Sequence, residues 1–360
     1  MADLDHIVGT RNIIVCAGSG GVGKTTIAAV LAMEAAMRGR RAVVVTIDPA
    51  KRLADTLGIG ELSNTPKQID GPWPGELWAL MLDVKTTFDN LVTTYSDDTD
   101  QAQRILLNPF YRNISGALSG TQEYMAGEKL YELHESGDYD IVVVDTPPSR
   151  NALDFLAASR RLTRFLDHRL YKMLMAPTRA YMKAVNVAAQ AFVRTVGKVV
   201  GGEVLDDALA FFQAFEGMEA GFRDRAARVQ SLLTAEETAY VLVASPQADA
   251  VEEAAYFARK LKETQLPVEA LIVNRMHPRF GPGRSEADRA RATTLDGTAI
   301  GSLYSNLADF RQMADEERTH LAGLAEQVDP APVVEVPFLP EDVHDLAALA
   351  EIGTHMFVAS

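Results

Sequence analysis

The 360-residue chain has one cysteine, Cys16. A single thiol excludes an internal disulfide, and it leaves no cysteine pair for a zinc site or an iron–sulfur cluster, so electron transfer through a cluster is excluded as well. Positive charge is scarce. Lys and Arg number 35 against 49 Asp and Glu, a formal net charge of −14. Phosphate repulsion over most of the surface therefore goes unopposed, and nucleic acid is not expected as a partner. No apolar run reaches the ~18–20 residues needed to span a bilayer. Met1–His6 lacks the basic region and apolar core of a signal peptide, which points to a cytoplasmic, soluble protein. The histidines His134, His168, His277 and His320 show no metal-ligand spacing. Internal repeats and low-complexity segments are absent too. What remains, 47% hydrophobic and 23% charged residues, is the composition of an ordinary globular chain.

Apolar runs that end in polar residues recur along the sequence at Ile13–Cys16, Ala42–Ile47, Leu77–Leu82, Ile141–Val144, Tyr240–Ala244, Leu271–Val273 and Val333–Val336. Helical patterns separate most of them. This order predicts an α/β fold, a doubly wound and mostly parallel sheet with its site at the C-terminal strand ends. Pro72–Gly75 reads as a turn. Pro278–Gly283 reads as a mobile loop, followed by a polar helical stretch to about Ala325. Thr86–Glu135 and Leu153–Leu233 are helical in pattern without intervening strands. The expectation is one domain over 1–360, with an inserted α-helical subdomain formed by about 86–135 and 153–233. Between Arg160 and Lys198 nearly every charged residue is basic, with Phe165, Met173, Tyr181, Phe192 and other apolar residues interleaved. That pattern fits either a subdomain core with a solvated basic face or a face for a partner or a membrane surface.

The run Gly18-Ser19-Gly20-Gly21-Val22-Gly23-Lys24-Thr25-Thr26 fits G-x-x-x-x-G-K-[ST] and stands between a predicted strand and the Ala- and Leu-rich helix Thr25–Arg38. Glycines at these positions let successive N–H groups turn toward phosphate oxygens, and the helix N-terminus adds its positive dipole end. Lys24 is placed to bridge the β- and γ-phosphates of a nucleotide, and the Thr25 hydroxyl to ligate Mg²⁺. Ile141–Val144 ends in Asp145, the strand-end acid that organises water around Mg²⁺ in such sites. Asp48, in Thr46-Ile47-Asp48-Pro49-Ala50, leaves the second strand. Spacing alone leaves it open between orienting an attacking water and forming an Asp-Pro turn.

These motifs, with Asp145-Thr146-Pro147-Pro148-Ser149, Val273-Asn274 and Val336-Pro337-Phe338-Leu339-Pro340, occur in an order and spacing that resemble the ArsA family across the whole chain. That family comprises arsenite-pump ATPases and the targeting ATPases for tail-anchored membrane proteins; their loop is a deviant Walker A motif. The resemblance implies an ATP hydrolase with ATP and Mg²⁺ as cofactors. It implies that Asp48 positions the hydrolytic water and that Asp145 acts near Mg²⁺ and moves with nucleotide state. Asn274 would recognise adenine, with the backbone of Pro337 and Phe338 lining the base. Family members work as dimers with two nucleotides at the interface. A homodimer, or a heterodimer with a lysine-bearing homologue, is therefore expected to gate contact with a membrane-protein client or a membrane surface.

The departures matter. The family's signature lysine, which reaches the partner's nucleotide, would lie at position 19, where this chain has Ser19. Gly-His after the later aspartate motif is replaced by Arg150-Asn151, and Pro-Glu by Pro246-Gln247. Arg150 is a candidate substitute cation. Without the cysteines that hold zinc or arsenite in relatives, neither is expected to bind. Two further readings follow: a nucleotide-gated binding subunit with weak hydrolysis, or the soluble energising subunit of an efflux pump whose cargo is not held by cysteines.

Overall fold

The computed structural model describes residues 3–48, 52–114, 121–147, 149–168 and 202–357. By contact they fall into two compact units, one formed by Met1–Met81, Leu133–Leu153 and Glu236–Ser360 and the other by Leu82–Glu132 and Asp154–Ala235.

The first unit holds an eight-stranded sheet: β1 (Ile13–Ala17), β2 (Arg41–Thr46), β3 (Lys67–Ile69), β4 (Glu76–Met81), β5 (Ile141–Asp145), β6 (Thr238–Ala244), β7 (Val268–Met276) and β8 (Val333–Pro337). Their spatial order is β3-β4-β2-β5-β1-β6-β7-β8. All neighbouring pairs are parallel except β3–β4. The central strands β1, β5 and β6 are buried at every residue, as parallel strands covered on both faces must be. Seven strands lie where the apolar runs put them. The eighth, β3, is an addition: Lys67-Gln68-Ile69 exposes two of its three residues and carries no apolar run to betray it.

Helix α1 (Leu4–Thr10) precedes β1, and α2 (Lys24–Met37) follows it. α2 is apolar nearly all round, because it lies against the sheet and is covered by α1 and by the C-terminal helix Leu346–Phe357. Register aligns Cys16 with Asp145 and Asp145 with Thr46, so the polar ends of β1, β5 and β2 meet at one edge. The Pro278–Gly283 loop leads into two helices, Ser285–Thr294 and Ala299–Val328, packed on each other.

The second unit is helical, built from α4 (Val84–Tyr95), α5 (Thr99–Leu106), α6 (Pro109–Ile114), most of α7 (Thr121–Glu135), α8 (Ser149–Asp167) from Asp154 onward, α9 (Gly202–Ala214) and α10 (Glu219–Leu233); the short α3 (Arg52–Thr56) belongs to the first unit. Asp83 and Asp98 cap α4 and α5 by accepting from the amides of Thr86 and Gln101. Aromatic side chains fill its core, with Phe215 against Phe222 at 4.9 Å between ring centroids and Tyr111 stacked on Phe211 at 6.0 Å. Most of the basic segment between Arg160 and Lys198, from residue 169 on, lies outside the described residues.

Candidate active site

The glycine-rich loop connects β1 to α2 under tight constraint. A Cβ on Gly18 would come within 2.0 Å of the Val243 carbonyl oxygen, so only glycine lets the loop leave β1 beside β6. Gly23, the residue before α2, sits at φ +93°, and a Cβ there would lie 2.3 Å from Asn274 Nδ2. Val22 is buried and pins the loop to the core, whereas Gly20 and Gly21 are exposed.

Lys24 opens α2 and is buried, with Nζ donating to the Ser19 carbonyl oxygen at 2.7 Å across the loop. Burial pulls its ammonium below the ordinary lysine range, opposed by the charges of Asp145 and Asp48. Thr25 Oγ1 donates to Asp145 Oδ2 at 2.7 Å, and Thr46 Oγ1 donates to the same oxygen at 2.9 Å. The other oxygen, Asp145 Oδ1, is buried and has no hydrogen-bond partner. Burial pushes the Asp145 carboxyl above the usual aspartate range, against the pull of the two hydroxyls and Lys24. Asp48 donates its backbone N–H to Thr46 Oγ1 at 3.2 Å, and its carboxylate lies 3.8 Å from the Arg52 guanidinium. Thr26 follows in the first turn of α2. Thus Lys24, Thr25, Asp48 and Asp145 meet around one edge of the sheet.

A buried carboxylate oxygen without a donor is costly unless something positive completes it. The groups beside it, a threonine hydroxyl and carboxylates, are hard oxygen donors. They fit Mg²⁺ held largely by water and substrate phosphates, and they do not fit a soft metal. The Cys16 thiol is fully buried, and desolvation together with Asp145 drives its pKa far upward, which makes it inert. Among the described residues no group of three or more His, Cys, Asp or Glu could cage a metal.

Asn274 is buried, donating from Nδ2 to the Val22 carbonyl at 2.9 Å and accepting the Arg275 amide on Oδ1 at 3.0 Å. In this structure its side chain braces the loop, with one N–H and one lone pair to spare for another partner. Pro337 ends β8. Phe338 donates its N–H to Met276 O at 2.8 Å, and its exposed ring stacks on His277 at 5.6 Å and 3°. Glu317 holds His277 from both sides, through its amide at 2.9 Å and Nδ1 at 2.5 Å. The side chain of Arg150, and Pro49 and Ala50, lie outside the described residues.

Sequence reasoning missed Thr46, whose hydroxyl shares Asp145 with Thr25; a threonine at a strand end looks like strand propensity alone. It also missed Arg275, which donates from Nη1 to the Gly21 carbonyl at 3.1 Å. A cation directly after Asn274 in an apolar run was the available signal.

A family model described as "Anion-transporting ATPase" (ArsA_ATPase) matches residues 11–288, from before β1 into the helix that begins at Ser285. The chain is similar to the protein named ATPase GET3B of Arabidopsis thaliana, with 28% identity over 298 residues, 77% of this chain and 68% of that protein. It is also similar to ATPase GET3C of the same plant, at 24% identity over 365 residues, 96% of this chain and 82% of that one. ATPase GET3 of Malassezia globosa is 28% identical over 177 residues, covering 45% of this chain and 48% of that protein.

Proposed function

We propose that this chain, which belongs to the ArsA family of anion-transporting ATPases and is an ATP hydrolase, uses Mg²⁺-dependent ATP binding and hydrolysis to switch a dimer between states that gate contact with a protein or membrane partner. The observation that carries this reading is the orphaned oxygen of Asp145 beside Thr25 and Lys24. A divalent cation there would neutralise phosphate charge. Thr25 and Asp145 would hold it, directly or through water. The loop amides of Gly18 and Gly20–Gly23 and the Lys24 ammonium bind and orient the phosphates. Asp48, at the mouth of β2, orients the attacking water by accepting its proton. The backbone of Pro337 and Phe338, with the spare capacity of Asn274, takes the base.

The switch reading rests on connectivity. The chain leaving Asp145 enters α8 at Ser149, and from Asp154 that helix belongs to the helical unit. A displacement at Asp145 on loss of the terminal phosphate would be carried along a packed helix as a body, since cores shift between discrete arrangements. On this reading residues 1–360 act as one ATPase domain whose helical part, residues 86–135 and 153–233, is the effector subdomain. Its partner is a membrane-protein client or an anionic membrane surface. The dimer is a homodimer or a pair with a homologue bearing the signature lysine.

Ser19 favours a second reading, a nucleotide-gated binding subunit with weak hydrolysis. Its side chain is neutral and buried, so no charge from position 19 reaches another chain. Hydrogen exchange with and without Mg²⁺-ATP, together with turnover of the isolated protein, tests the two. Protection in the helical unit that changes with nucleotide, alongside steady turnover, supports the switch enzyme. Changed protection with negligible turnover supports the gated binding subunit, and identical protection in both states refutes gating.

A further inference from the structure

Arg275 adopts φ +65°, a left-handed backbone that side-chain-bearing residues rarely take and that persists only where the surroundings enforce it. The enforcement is visible. Pairing between β7 and β8 slips between Val273 and Met276, and both neighbours of Arg275, Asn274 and Met276, are buried. Arg275 is turned outward instead and is exposed. Its Nη1 donates to the Gly21 carbonyl at 3.1 Å, while Asn274 Nδ2 donates to the next carbonyl, Val22, at 2.9 Å. The end of β7 thus grips the phosphate loop by two consecutive carbonyls.

The carbonyls of this loop do not all face one way: that of Ser19 accepts from Lys24 Nζ, while those of Gly21 and Val22 accept from the end of β7. The Arg275 guanidinium sits at the exposed Gly21 rim of the loop, and most of its N–H donors remain available. The rim is open: a Cβ built on Gly21 would meet nothing within 4 Å. Ser19, on the same loop, brings no charge. A triphosphate beside the carboxylates Asp48 and Asp145 carries more negative charge than Lys24 and one divalent cation offset, so a further cation is worth most as charge shifts during phosphoryl transfer.

We infer that Arg275 is the cation each chain of the dimer extends over its loop rim to the partner's bound triphosphate. This rests on the homodimer form of the reading above. Arginine suits the task because its planar fork meets phosphate oxygens in pairs and stays charged. The strained backbone serves to aim the side chain outward while Asn274 stays buried.

The test mixes two variants of the full chain. Lys24→Ala cannot hold nucleotide phosphates but keeps Arg275; Arg275→Ala keeps its own cradle but offers no cation. Each alone should turn over ATP on the order of 10³-fold more slowly than wild type, by analogy with arginine fingers. An equal mixture should recover about a quarter of the wild-type rate, because half the dimers are mixed and each has one complete site. ADP with aluminium fluoride should be retained on gel filtration by wild type and by the mixture, and by neither variant alone. Arg275→Gln, which keeps a side-chain N–H but no charge, should fail like alanine, whereas Arg275→Lys should restore part of the rate.

No recovery on mixing, or a glutamine variant as active as wild type, overturns the assignment while leaving the dimeric ATPase intact. A wild-type chain that sediments as a monomer with Mg²⁺-ATP overturns the homodimer reading and this inference together, and leaves the pair with a lysine-bearing homologue.

Discussion

Gly23→Ala isolates the energetics of the phosphate loop. Two separate obstacles face the added methyl. The first is backbone: at φ +93° a left-handed conformation costs an alanine roughly 1–2 kcal/mol. The second is contact, because the Cβ would stand 2.3 Å from Asn274 Nδ2 and push the amide off the Val22 carbonyl, with a loss of about 1 kcal/mol. The variant loop relaxes away from this geometry, and binding nucleotide forces it back. The combined cost of about 2–3 kcal/mol then appears as a roughly 30- to 150-fold weaker Kd for Mg²⁺-ATP. Binding reports this better than unfolding does, since a chain of two compact units has no single unfolding free energy. In an Asn274→Ala background the contact is gone and the backbone cost remains, so Gly23→Ala should weaken binding only about 5- to 30-fold. Calorimetric titration of the four proteins closes the cycle. Equal factors in the two backgrounds would refute the proposed clash with Asn274, and an unchanged Kd in Gly23→Ala would refute the backbone argument as well.

Three other outcomes are expected. Lys24→Ala should abolish tight ATP binding, while Asp48→Asn should leave binding nearly intact and stop steady-state turnover; equal loss of affinity in both would count against Asp48 as the water-orienting group. Asp145→Asn should raise the unliganded melting temperature at pH 7.5. The wild-type carboxyl has a raised pKa, so the folded state holds its proton more tightly than the unfolded chain and loses stability as pH rises from the ordinary aspartate range through the shifted value. The gain should fade on acidification, and a melting advantage that does not depend on pH would contradict the burial argument. In the helical unit, Arg225→Met leaves the buried Glu128 without the guanidinium now 2.7 Å away and should cost about 3 kcal/mol at neutral pH. The helical unit's own transition in urea should show that loss shrinking at lower pH, as Glu128, its pKa already raised by burial, takes up a proton.

Much of this architecture could be read from residue patterning. Buried parallel strands write themselves as apolar runs such as Ile141–Val144, and the polar residue ending each run marks the edge where loops gather. β3 could not be read this way, because a three-residue edge strand with two exposed positions has no pattern to show. Its existence depends on pairing with β4, a tertiary event. The loop motif identifies Lys24 and Thr25 because a local backbone conformation dictates local glycines. Bonds that span many residues, such as Thr46 to Asp145 or Arg275 to Gly21, leave no such trace. Register creates them, and register is fixed by the whole sheet.

The same distinction bears on Asn274. Taken as a motif residue, its amide is a base-recognition group; in the structure it also holds Val22 and confronts Gly23. On the proposed base-binding role, both tasks would fall on one amide. A base bound by the spare N–H and lone pair of that amide would share it with the Val22 carbonyl, and Arg275, the next residue, grips the Gly21 carbonyl one step along the loop. If Asn274 takes the base as proposed, occupancy at that end of the site would act on the phosphate loop through two adjacent carbonyls. A nucleotide lacking its base, such as free triphosphate, would leave that link unused. If the link operates, Asn274→Ala should weaken ATP more than triphosphate and should also narrow the difference in affinity between ATP and ADP, measured by calorimetric titration. A variant that weakens ATP and ADP equally would reduce Asn274 to a base contact and a strut with no coupling between them.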